Sequence, residues 1–192
     1  MNTLRHAFKE WAVICRALAE GRQAFILRKG GIAENGGEFR VEHTRFWLYP
    51  TSVHQQKDGI TPETVPLLEQ IEREQPPQGI VRLSHFVEVT GLYHIHDLMS
   101  ALRLAGLHGW SQETVQARFA YRQPGLYVLP VRVYRAPRTF ELSETADYAG
   151  CRSWVELDRE LPTEGATPVL DEEAFDDVLR TLDRLLQPTA WV

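Results

Sequence analysis

Two cysteines, Cys15 and Cys151, are all that this 192-residue chain contains. With no CxxC pair, a disulfide framework and a cysteine-rich zinc site are both excluded, and each thiol is expected to sit as a small buried apolar group. Long hydrophobic runs are also missing: no segment approaches the roughly 20 apolar residues that span a bilayer, so no membrane partner is expected. The opening MNTLRHAFKEW lacks a long apolar core and a small-residue cleavage site, which points to a cytoplasmic protein. No aspartate occurs in the first 57 residues. The GxxxxGK[ST], GxGxxG and GxSxG patterns are absent, as are internal repeats and low-complexity tracts, so nothing marks a phosphate loop, a dinucleotide fold or a nucleophile elbow.

What remains is an ordinary globular composition, 43% hydrophobic and 24% charged. The length supports one α+β domain over residues 1–160, with a turn-rich linker and a helix packed on it over 161–192. The net charge of −5 is uneven: Lys+Arg against Asp+Glu is 8 to 5 over residues 1–55, 9 to 8 over 56–140 and 4 to 13 over 141–192. An acidic total argues against indiscriminate duplex binding and leaves room for a local basic face.

Residues 11–18 and 24–29 are short, apolar and rich in strand formers, and the Ala-Glu-Gly-Arg-Gln between them predicts a β-hairpin. Gly30-Gly31 and Gly36-Gly37 bracket a turn-rich excursion, followed by strand-like residues 39–41 and 45–49. A helix is expected over 61–73, with Val65, Leu68 and Ile71 on one face and Pro76-Pro77 as its stop. Ile80–Val89 alternates, placing Val81, Leu83, His85, Val87 and Val89 on one face of a half-buried strand. Asp97 and Ser111 cap helices expected over 97–106 and 111–120, with Trp110 stapled to Val115. Residues 126–135 form the strongest later strand, where Pro130 marks an edge or bulge. Residues 140–142 and 154–157 add short strands. Residues 171–186 carry an amphipathic stripe led by Phe175, Leu182 and Leu186 behind an acidic first turn.

Several side-chain groupings bear on chemistry. Arg28-Lys29-Gly30-Gly31 sets two cations beside a glycine turn able to approach a phosphate. The same RKGG turn resembles the opening strands of Nudix hydrolases, without their glutamate-rich magnesium helix. Glu34, Glu38 and Glu42 with Lys29 are the parts available to a metal-dependent phosphodiester or nucleotide hydrolase, which alone would call for Mg²⁺ or Mn²⁺. His94 and His96 share a face, with His54, His85 and His108 as third metal ligands. Trp47, Tyr49, Trp110, Phe119, Tyr121 and Tyr134 are interleaved with Arg45, Arg118, Arg122, Arg132 and Arg135, a pattern suited to stacking bases and contacting phosphates, or equally to a core with a cationic rim.

The strings WAVICRAL, FILRKGGI, FWLYPTSVHQ, RVYRAP and YAGCRSWVEL resemble the bacterial family named domain of unknown function 1802, over about residues 8–158. The resemblance implies one module and a site among Glu10, Trp11, Arg28, Lys29, Thr51, His54, Gln55, Arg132, Tyr134, Cys151, Ser153 and Trp154, without naming a reaction. VLPVRVYRAP and SWVEL further resemble the arginine-bearing and closing strands of PUA- and ASCH-type barrels, which bind RNA or modified nucleotides. The expected architecture is α+β, with a mixed, largely antiparallel, curved or barrel-like sheet, flanking helices and an amphipathic C-terminal helix. The expected function is binding of single-stranded nucleic acid or a nucleotide without a cofactor. Arg28, Lys29, Arg132 and Arg135 contact phosphate, Thr51, His54 and Gln55 offer polar contacts, and Trp47 or Tyr134 stacks. The alternatives are the hydrolase and a protein-interaction domain that docks through the C-terminal helix.

Overall fold

Polar residues dominate Thr3–Trp11, yet this segment is strand β1, with Ala7 and Phe8 both buried on opposite faces. The computed structural model describes residues 2–29, 43–148 and 153–186. The chain passes from β1 directly into helix α1 (Ala12–Ala19). This corrects the expected hairpin: Val13, Ile14, Ala17 and Leu18 recur at helical spacing and all are buried. Over a short, mostly apolar run, a buried helix and a buried strand read alike. Only the second arm is a strand, β2 (Phe25–Arg28). The strand expected over 39–41, the glycine pairs and Cys151 lie outside the described residues; Cys15 is buried, and burial pushes its thiol pKa up.

The remaining elements are β3 (Arg45–Thr51), α2 (Val65–Arg73), β4 (Ile80–Val89), β5 (Tyr93–Ile95), α3 (Leu98–Leu102), α4 (Gln112–Ala120), β6 (Leu126–Ser143), β7 (Trp154–Pro162), β8 (Thr167–Pro168) and α5 (Glu172–Leu185). Side chains cap three helix starts as their types require: Asp97 accepts from Ser100 N at 2.8 Å, Ser111 from Thr114 N at 3.2 Å and Asp171 from Ala174 N at 2.8 Å. No helix among the described residues is long and apolar enough to cross a membrane.

The strands form one open mixed sheet in the order β2-β6-β4-β3-β1-β7, with β5 and β8 also paired to β6. Among the described residues only β1 and β3 run parallel. The two expected strands at 126–135 and 140–142 are one 18-residue strand, β6. Pro130 lies between the stretch that pairs with β5 and the stretch that pairs with β4, where a missing ladder donor costs least.

The sheet carries a hydrophobic cluster on each face. Phe8, Phe46, Val87, Val89, Phe25 and Val128 join α1, α4 and Leu182 of α5 in the larger one. Ala7, Trp47, Phe86, Phe140, Leu142 and Leu157 form the smaller. The alternation expected along β4 breaks in its middle: Val81, Leu83 and Phe86 serve the smaller cluster, Val87 and Val89 the larger. The break falls where pairing jumps from Leu83↔Phe140 to His85↔Arg135, so that β6 residues 136–139 bulge opposite Ser84. Pairing is regular from His85 onward, so His85 stays on the Val87 side and it is Val81 and Leu83 that leave the expected face.

Candidate ligand groove

Glu10 and Gln55 settle the start of α1. The Glu10 carboxylate accepts from Trp11 N at 2.8 Å, and Gln55 Oε1 accepts from Val13 N at 2.9 Å, satisfying amides that the helix leaves unpaired. Gln55 thereby ties the loop after β3 to the helix. His54, in that loop, has φ 61°, a left-handed backbone that costs a non-glycine residue about 1 kcal/mol. Thr51 Oγ1 accepts from Val53 N at 3.2 Å, which turns the chain at the end of β3.

Between this loop, α1, the Pro76-Pro77 connection after α2, the start of β4 and the β6 bulge lies a groove of ≈ 1130 Å³. Thr51, Gln55 and Arg135, three of the residues singled out by sequence, line it. So do Arg16, Arg82 and Arg138. Arg16 is neutralised by Glu74 at 2.5 Å and Glu20 at 3.8 Å, and Arg82 by Glu141 at 2.8 Å. Arg135 and Arg138 differ: both are exposed, and neither has a carboxylate at ion-pair distance among the described residues. The Arg138 guanidinium lies 5.0 Å from the Phe140 ring centre.

Facing the bulge, Ser84 Oγ and His85 Nδ1 are 2.9 Å apart, while His85 Nε2 is buried with no hydrogen-bond partner among the described residues. Burial first, then the neighbouring Arg135 charge, pushes the His85 pKa down to about 4, so the imidazole is neutral at pH 7. At the far end, Tyr49 Oη donates to Glu144 at 2.5 Å; burial and that carboxylate hold the phenol protonated far above its ordinary range.

The other nominated residues are elsewhere or engaged. Arg28 Nη1 donates to Ser153 Oγ at 3.1 Å, linking the two end strands of the sheet, and its guanidinium covers the Phe8 ring at 4.5 Å. The Lys29 ammonium donates to the carbonyls of Phe119 and Gly125, each at 2.9 Å, and to that of Gln123. It closes the loop after α4 instead of facing a phosphate. Arg132 pairs with Glu172 at 2.8 Å over Phe175, on the α5 side. Trp47 is fully buried and donates to Leu4 O at 3.2 Å, so the stacking role expected of it is ruled out by burial. Tyr134 is half-buried and already stacked on Phe86, with ring centres 5.1 Å apart. His54 is exposed beside the groove without lining it. Arg28, His54 and Arg132 thus do not line a common hollow.

The His94 and His96 rings are 3.8 Å apart, with His94 stacked on Tyr127 at 4.1 Å. Among the described residues no group of three His, Cys, Asp or Glu side chains is placed to hold a metal. Glu34, Glu38 and Glu42 lie outside those residues. The helix α5 buries Phe175 and Leu182, so its apolar face is occupied by the protein's own core.

Sequence reasoning passed over Arg138 and the Ser84–His85 contact, and it named Glu10 only through the family resemblance. Glu10 is only 6% exposed and lies 3.8 Å from Arg118, whose guanidinium sits between Trp11 and Trp110 at 5.1 and 4.9 Å. The Ala136-Pro137 step, which interrupts the alternation of β6 before Arg138, was the available signal for the bulge.

Three solved structures of one protein are similar to this chain over nearly its whole length. ASCH from Zymomonas mobilis is 11% identical, with a TM-score of 0.40 over 96% of this chain and 95% of that one. Two point variants of it give 10% and 12% identity with TM-scores of 0.44 and 0.41, over 96% and 92% of this chain and 98% and 94% of theirs. No curated protein matches the sequence. The family model named domain of unknown function, DUF1802, matches residues 7–181, and the chain belongs to that family.

Proposed function

We propose that the groove binds a nucleic acid or nucleotide, with Arg135 and Arg138 meeting phosphate and Thr51, Ser84 and Gln55 offering polar contacts. The observation that carries this reading is the pair of exposed arginines without carboxylate partners among the described residues, set on a bulge beside a ≈ 1130 Å³ groove. Solvated guanidiniums match phosphate geometry and keep their charge at any physiological pH. Arginines engaged with carboxylates, such as Arg16 and Arg132, must first give up a partner. Bulges next to sites re-aim side chains, which fits the way this one sets Arg135 and Arg138 along the groove.

Fluorescence anisotropy with labelled single-stranded oligonucleotides and nucleotides at low salt tests the reading. Binding that survives EDTA and falls at least tenfold in Arg135→Ala supports it. Absence of binding to every probe, or binding indifferent to Arg135→Ala, removes it.

A further inference from the structure

Resting on that reading, we infer that the groove is a two-phosphate clamp for a single strand: Arg135 and Arg138 each hold one of two consecutive phosphates, and the bases lie along the groove beyond them. The β6 bulge carries the argument. Pairing on either side of it, at His85↔Arg135 and Leu83↔Phe140, anchors both ends, so the two arginines stand three residues apart on a short, fixed arc. Pro137, between them, locks one backbone dihedral and lowers the cost of holding both guanidiniums in place.

The groove around the clamp suits bases better than further charge. Ile71, Pro76, Pro77 and Pro137 line it, together with Val53, which is 56% exposed. The polar wall opposite the bulge, Ser84 and His85, is uncharged at pH 7. At ≈ 1130 Å³ the groove exceeds the roughly 300–1,000 Å³ typical of small-molecule sites, room for more than one nucleotide. The paired cations Arg16 and Arg82 add no further unpaired positive charge along it.

Counterion release gives the test, since each phosphate neutralised on a single strand contributes about 0.7 to the slope of log K against log salt. A labelled single-stranded uridine hexanucleotide, titrated over a potassium chloride series, is expected to give a slope near −1.4 for the native chain. Arg135→Ala and Arg138→Ala are each expected near −0.7, with circular dichroism confirming that both variants are folded. Uridine monophosphate is expected to compete at least tenfold more weakly than the hexanucleotide. Failure of the hexanucleotide and of both uridine nucleotides to bind at the lowest salt overturns the groove reading itself, and binding of a nucleotide without the hexanucleotide overturns the clamp alone. Binding with a slope that either variant leaves unchanged, or equal competition by uridine monophosphate or uridine diphosphate, overturns the clamp and leaves groove binding standing.

Discussion

Two groups of cationic side chains, similar in sequence, are in opposite states. At the end of β2, Arg28 is tied to Ser153 and Phe8, Lys29 to three carbonyls, and Arg118, on α4, to Glu10 between two indoles. At the β6 bulge, Arg135 and Arg138 have no carboxylate partner among the described residues and face a groove. The first group joins β1, β2, β7 and α4 into one body; the second has charge to offer a ligand. The difference is set by what surrounds each cation, and residue type alone does not reveal it.

The largest way to break the comparison is at Glu10. Its replacement by Ala leaves the Arg118 guanidinium, 24% exposed, without its carboxylate, and removes an acceptor from Trp11 N. Breaking a buried pair from one side is expected to cost about 2–4 kcal/mol in urea unfolding. An unchanged midpoint would show that the region is not held by this pair.

Acid tests the core beneath both regions. Burial pushes His85 and His108 from 6.5 down to about 4. The unfolded chain therefore binds more protons between those values, and stability, complete above pH 6.5, falls as the pH drops toward 4. The combined loss is expected to be on the order of 3 kcal/mol, discounted for partial solvent access. His85→Gln should remove part of the slope; urea midpoints at a series of pH values measure it.

Lys29→Ala removes a donor shared by three carbonyls and should cost about 1–2 kcal/mol while leaving the salt slope of ligand binding unchanged. Gln55→Ala uncaps Val13 N at the head of α1, for about 1 kcal/mol in the same unfolding experiment. Arg135→Ala should change stability by less than about 0.5 kcal/mol, since no ion pair is lost, and act on binding alone.

Much of the fold was legible because capping and alternation are local. Asp97, Ser111 and Asp171 start helices where their side chains predict, and Ile80–Val89 is a strand with the predicted bounds. β1 was not legible: its buried apolar positions, Ala7 and Phe8, are neighbours on opposite faces, a pattern that arises only when both faces are covered. Residues 11–18 were misread because a short, mostly apolar run does not distinguish helix from strand. Of the residues singled out for a site, Thr51, Gln55 and Arg135 line the groove. Arg28, Lys29 and Arg132 were overvalued because their partners, Ser153, the carbonyls of Phe119, Gln123 and Gly125, and Glu172, stand 40 to 125 residues away.

The most direct test sets the two regions side by side: affinity for one single-stranded oligonucleotide, measured at low salt for the native chain, for Arg135→Ala with Arg138→Ala, and for Lys29→Ala. The expected result is that the bulge pair loses binding while remaining folded, and that Lys29→Ala binds as the native chain does. Loss of binding in Lys29→Ala, with the bulge pair unaffected, would contradict it.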